Sequence, residues 1–222
     1  MMTEHILVVL PHPDDEAFGA AGTISLNTKK GIPVTYACAT LGEMGRNMGV
    51  PPFANRETLP SIRKQELEEA CVAMGIQDLR LLGYRDKTLE FEKTEDVADT
   101  VYELLQELRP SLVITHYPGY AVHPDHDACG AATILAVSRL PKEQRPLVYA
   151  MAFSKNCREE LGEPDISINI EDVTKNKIAA LAAHKSQTTQ MMNGLEEKLE
   201  AGDQDLKRWL SREVFWTYHF HE

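Results

Sequence analysis

The chain has 222 residues, 43% of them hydrophobic, which is enough for one well-buried domain without pressure to split. Lys and Arg number 23 against 34 Asp and Glu, a net charge of −11 with no basic block, and this excludes a nucleic-acid partner. Glu4 precedes an apolar run of only five residues, too short for a signal sequence or a membrane span, and Cys38, Cys71, Cys129 and Cys157 form no CxxC pair, so a reducing, cytoplasmic setting is expected.

Ile6 to Leu10 reads as a buried strand, and it stops at His12-Pro-Asp14-Asp15-Glu16. One imidazole and three carboxylates within five residues repel one another unless a cation lies between them. His12 and Asp15, spaced i, i+3, project to one side of a helical turn and can grip one metal. Asp14 then points elsewhere and stays free, as a general base beside a metal site must. The same residues also read as a turn, an N-cap and an acidic first helical turn. Ala17 to Lys30 is predicted helical and ended by Gly31, with Gly19 and Gly22 permitting close packing on a sheet. Pro33 to Thr40 is a second strand, which completes a right-handed βαβ unit. Its first turn lacks GxGxxG and puts acids where phosphates would lie, so a nucleotide-binding reading weakens. Residues 41–60 hold three glycines and three prolines and are expected to form an active-site loop. Ser61 to Met74 is an amphipathic helix stopped by Gly75.

Further along, Leu79 to Leu82 is a short strand and Thr94 to Leu108 a helix with one apolar stripe. Ser111 to His116 is the strand that delivers a second cluster, His123-Pro-Asp125-His126-Asp127, which opens a helix running to Ser138. Pro146 to Phe153 is another strand, Ile166 to Ile170 alternates as an edge strand does, and Val173 to Ala183 is helical. The segment 194–222 carries a charged helix and then the aromatic run Val214 to Phe220, read as capping the sheet or as a subunit interface. Strands alternating with helices predict a single α/β domain over 1–222, a three-layer Rossmann-like fold with a mostly parallel sheet. Two His/Asp clusters, each after a buried strand, are hard to explain as coincident caps. In such a sheet both sit at carboxyl ends of strands, where sites assemble.

The pair His12-Pro-Asp-Asp-Glu16 and His123-Pro-Asp-His126 resembles the PIG-L/LmbE-like family of zinc-dependent N-acetylglucosamine deacetylases. Thr40-Leu-Gly-Glu43, Arg63-Lys-Gln-Glu66-Leu and His184-Lys-Ser186-Gln187 match in the same order, so the resemblance covers roughly residues 5 to 190. Length and local wording look closest to the bacillithiol-biosynthesis deacetylases, which act on N-acetylglucosaminyl-malate. The resemblance implies amide hydrolysis, with His12, Asp15 and His126 holding one divalent ion per subunit, zinc or else iron, and Asp14 as general base. His123 is then left near the metal to protonate the leaving amine or stabilise the oxyanion, with Asp125 behind it fixing its tautomer. The family often has a tyrosine two residues before HPDH; here Ala121 stands there and Tyr120 one position earlier. A malate aglycone carries two carboxylates, so Arg46, Arg56 and Arg63 are candidate substrate contacts, together with Glu43 and Tyr120. His184 with Ser186 and Gln187 also reads as a helix-terminal hydrogen-bonding cluster. The expected partners are a small amino-sugar substrate and other copies of the chain in a homo-oligomer. Deacetylation of another N-acetyl amino sugar is the nearest alternative. A metal-dependent phosphoesterase lacks the extra carboxylates of a two-metal clamp, and a non-enzymatic metal or nucleotide binder would leave Asp14 and His123 without a purpose.

Overall fold

The computed structural model describes residues 4–220, so residues 1–3 and 221–222 of the predicted domain lie outside the described part. The first half runs β1 (Ile6–Leu10), α1 (Asp15–Gly19), α2 (Ala21–Lys29), β2 (Val34–Cys38), α3 (Leu59–Met74), β3 (Asp78–Leu81) and α4 (Thr94–Leu108). It continues with β4 (Leu112–His116), α5 (Pro124–Ser138), β5 (Leu147–Met151), α6 (Cys157–Leu161) and β6 (Ile166–Asn169). The chain closes with α7 (Thr174–Ala183), α8 (Lys185–Asn193), α9 (Leu195–Glu200), α10 (Gln204–Ser211) and β7 (Arg212–Thr217).

The strands form one seven-stranded sheet in the order β3-β2-β1-β4-β5-β7-β6. The first five are parallel, whereas β7 runs antiparallel to both β5 and β6. All five residues of β1 are buried because helices cover both faces. Ile6, Val8 and Leu10 face one apolar layer with Ile24, Leu67, Leu181 and Phe215. Leu7 and Val9 face the other, with Val97, Val101, Val113 and Val137. The strand order reverses between β1 and β4, which pair from Ile6↔Leu112 to Val8↔Ile114. Ligands settle in the crevice at such a switch point, and both His/Asp clusters follow these two strands.

The predicted helix 17–30 is two helices, α1 and α2, broken at Ala20, whose φ is −138°. Close packing explains the glycines on either side of the break. A side chain at Gly19 would strike Met151 of β5, and one at Gly22 would stand 2.5 Å from Ile170. The charged tail also holds two helices, α9 and α10, separated by Gly202 at φ 82°. The short helices α6 and α8 were not predicted. The aromatic run enters the sheet as β7 between β5 and β6, with Phe215 fully buried, and β6 is the edge strand expected at Ile166.

Candidate metal centre and catalytic cleft

The turn after β1 bends sharply at Asp14, whose φ of 120° is rare for a side-chain-bearing residue. The bend lets Asp15 start α1 while His12 stays at the strand end. Helix α5 reaches the same place because Gly130 has no side chain. A Cβ there would lie 2.5 Å from the His116 carbonyl oxygen at the end of β4. The close crossing stacks the His126 ring on His116 at 4.1 Å between centroids.

Three side chains converge as a result. Nδ1 of His12 lies 3.1 Å from Nε2 of His126, Oδ1 of Asp15 lies 3.2 Å from that same Nε2, and Oδ2 lies 3.5 Å from His12 Nδ1. Bonds of about 2.0–2.1 Å in a tetrahedral arrangement set neighbouring donors roughly 3.3–3.4 Å apart. Two imidazoles and one carboxylate at these separations therefore fit a single divalent ion. Each ligand is also oriented from behind, as metal-binding histidines require. His126 Nδ1 is bonded to the Ala121 carbonyl at 3.2 Å, the His12 backbone N–H donates to Asp15 Oδ2 at 2.9 Å, and His12 Nε2 faces two carboxylates.

Those two carboxylates are Asp86 and Asp125, each 3.2 Å from His12 Nε2. Burial works against charge on His12, but Asp125, Asp15 and Asp86 outweigh it and push the imidazole up to about 12. So negative a pocket suits a cation. Asp125 was expected behind His123, yet its carboxylate faces His12 and accepts the backbone N–H groups of Lys87 (2.7 Å) and Leu89 (3.1 Å). The reason is helical geometry: Asp125 lies in the first turn of α5, with its side chain directed inward and fully buried. His123 is the N-cap of that helix, and its Nδ1 accepts the Asp125 backbone N–H at 3.1 Å. Its ring stands 5.0 Å from the His12 ring and 5.1 Å from that of His126.

Asp14 opens onto the cleft. Burial raises its carboxyl to about 6, although the Arg63 guanidinium opposes the rise. Arg63 is buried and was expected to meet substrate. Its guanidinium donates to Asp14 Oδ2 (2.9 Å), to the Gly42 carbonyl (2.8 Å) and to the Pro13 carbonyl. Gly42 has a φ of 61°, and a side chain there would strike that guanidinium. Arg56 serves the loop, donating to the carbonyls of Glu43 (3.2 Å) and Gly45 (2.7 Å). Glu43 accepts the Asp86 backbone N–H at 3.1 Å and so steadies a carboxylate that faces His12. The Tyr120 hydroxyl donates to Glu160 at 2.9 Å. Arg46 remains at the cleft, and Lys87 joins it.

The cleft has a volume of about 570 Å³ and is walled by Phe18, Met44 and Phe153 above the histidines. Residues 41–60 contribute Met44, Gly45 and Arg46 to its rim. Three charged or ionisable members of the cleft, Asp86, Lys87 and His116, belong to none of the motifs that the sequence offers. Asp86 follows β3 and His116 ends β4, so the rule that sites gather at strand ends would have found both. Burial pushes the His116 imidazole down to about 3, and among the described residues its Nδ1 has no hydrogen-bond partner. His116, Asp15 and His126 offer a further set of donor atoms within 4.8 Å of one another.

The profile of the PIG-L family, GlcNAc-PI de-N-acetylase, matches residues 7–137. A Bacillus subtilis (strain 168) protein named probable N-acetyl-alpha-D-glucosaminyl L-malate deacetylase 2 is 57% identical over 221 residues, with 100% of both chains covered. In the solved structure of N,N'-diacetylchitobiose deacetylase from Pyrococcus horikoshii the fold recurs with a TM-score of 0.74 at 24% identity, covering 97% of this chain and 84% of that one. In that of 4-carboxy-2-hydroxymuconate hydratase from Pseudomonas putida KT2440 it recurs with a TM-score of 0.71 at 19% identity, covering 99% and 98%. A deacetylase and a hydratase share this architecture, so the reaction is decided by the residues of the cleft.

Proposed function

The chain belongs to the PIG-L family of de-N-acetylases, and from that premise we propose that it hydrolyses the acetamido group of N-acetylglucosaminyl-malate, a step of bacillithiol biosynthesis. The observation that carries the reading is the convergence of His12, Asp15 and His126 within 3.1–3.5 Å beside Asp14, at the floor of a cleft that admits a sugar. These three residues would hold the divalent ion, zinc by the nature of the donors, with iron as the alternative. When bound, such an ion polarises a carbonyl and lowers the pKa of water to about 7.

The remaining chemistry belongs to the chain. Asp14 takes the proton of the attacking water, its carboxylate held by Arg63 at 2.9 Å. His123, whose Nδ1 accepts the Asp125 backbone N–H, keeps its proton on Nε2 and donates a hydrogen bond from there to the oxyanion, while Asp14 passes the proton it has taken to the departing amine. Asp125 and Asp86 keep His12 Nε2 occupied so that Nδ1 faces the ion. Arg46 and Lys87, whose side chains have no polar partner among the described residues, meet the malate carboxylates at the rim. Four free, buried cysteines suit the cytoplasm, and no helix of the described residues is long and apolar enough to cross a membrane. A homo-oligomer is part of this proposal, and light scattering tests it: the mass should be two or more times the 24.9 kDa of one chain, and a mass of 24.9 kDa would overturn it.

The functional test is acetate release from N-acetylglucosaminyl-malate by the zinc-loaded protein, run beside a generic phosphoester. Acetate without phosphate release is the expected result. Phosphate release, or acetate from simple N-acetylglucosamine glycosides alone, would overturn the reaction or the aglycone respectively.

A further inference from the structure

Beside the first His/Asp cluster lies a fully buried polar pair that is not among the residues proposed to hold the ion. Glu16 and His184 are both fully buried, and His184 Nε2 lies 2.6 Å from Glu16 Oε1. The other oxygen, Oε2, accepts the backbone N–H of Asp14 at 3.0 Å and the Tyr36 hydroxyl at 3.0 Å. His184 comes from the α7–α8 junction, Tyr36 from β2 and Glu16 from α1, so three elements meet on one carboxylate. A carboxylate buried this deeply needs all its partners. Its link to the turn falls on the one residue of the first cluster in a rare backbone conformation, φ 120°. Such a conformation persists only where its surroundings enforce it.

We propose that Glu16 and His184 are a positioning pair for the general base: His184 fixes Glu16, and Glu16 fixes the backbone of Asp14, aiming its carboxylate into the cleft. The inference rests on the assignment of Asp14 as base. Arg63 holds the same residue from the side-chain end at 2.9 Å, so the base is gripped at both ends. Neither Glu16 nor His184 meets substrate. Their proposed contribution to turnover passes through Asp14, whereas the Tyr36 hydroxyl ties the same carboxylate to the fold, and that makes the two contributions separable by experiment.

The experiment is a cycle read in kcat, KM and bound zinc. Glu16→Ala should lower kcat by about ten- to a hundred-fold, with KM and zinc per chain unchanged, a loss of roughly one to two decades in turnover. Glu16→Gln, whose amide oxygen still accepts from Asp14, should recover most of it. In an Asp14→Asn background the Glu16→Ala change should cost less than about twofold, because nothing is left to position. Should Glu16→Ala not fold, His184→Asn poses the same question from the other partner. A crystal structure of the variant supplies a readout independent of turnover: Asp14 should relax to a negative φ and lose its Arg63 contact. An equal loss in both backgrounds, a parallel loss of zinc, or an unchanged Asp14 backbone would each overturn the proposal. Inactivity of the unaltered protein on the malate conjugate would overturn the substrate, while the crystal structure would still decide the positioning role.

Discussion

Asp14 and Arg63 lie 2.9 Å apart, and this contact changes what each arginine should do when removed. Asp14→Asn should keep zinc but lower turnover by about 10²–10⁴-fold, the usual contribution of a positioned base; near-normal turnover would dismiss Asp14. Arg63→Ala should reduce catalytic efficiency equally on N-acetylglucosaminyl-malate and on a neutral N-acetylglucosamine glycoside, because it acts through Asp14. Arg46→Ala and Lys87→Ala should instead lose about ten- to a hundred-fold on the malate conjugate alone, as expected for a charge-assisted bond of about 1.5–3 kcal/mol. Equal losses on both substrates would move the malate carboxylates elsewhere. His12, Asp14 and Asp15 could be grouped from spacing, since local sequence determines which side chains share a turn, whereas His126 joined them only through the family resemblance. The targets of Arg63 and Asp125 could not. Arg63 is 49 residues from Asp14 and Asp125 is 113 from His12, and only the folded sheet brings them together.

Among the elements, β7 does the most to join distant parts. Its Glu213 accepts from Lys177 of α7 at 2.9 Å, from the backbone N–H groups of Gly22 and Thr23 at 2.9 and 2.8 Å, and from the Thr23 hydroxyl at 2.7 Å. The carboxylate thus satisfies the first amides of α2 while pairing with a fully buried lysine. Removing one partner from a buried ion pair costs about 3–5 kcal/mol. Lys177→Met should lose that much in urea unfolding, and adding Glu213→Gln should restore part of it. A loss below about 1 kcal/mol would mean that water replaces the lysine. The buried strands and long helices were legible because an apolar run or stripe carries its own period. The break at Ala20 was not, for its cause is Met151 and Ile170 pressing on Gly19 and Gly22 from elsewhere in the chain. The insertion of the tail between β5 and β6 is likewise a tertiary fact, although the aromatic run did signal a strand.

For the molecule as a whole, His12 and Asp15 follow β1 and His126 follows β4, on either side of the switch point, so an ion held by the three would join the halves of the sheet. Chelation should therefore abolish acetate release and lower the unfolding temperature, the stabilisation by ligand amounting to about 2.7 kcal/mol at a hundred times Kd. An unchanged melting curve after chelation would place the ion outside the His12, Asp15 and His126 cluster. The claim on which everything else depends is that one ion at this cluster supports amide hydrolysis. Its most direct test is a zinc titration of the metal-free protein, following acetate release from N-acetylglucosaminyl-malate against zinc bound per chain. Acetate release should rise in proportion to zinc and level off at one ion per chain. Acetate release without zinc, or none at one bound zinc per chain, would contradict it.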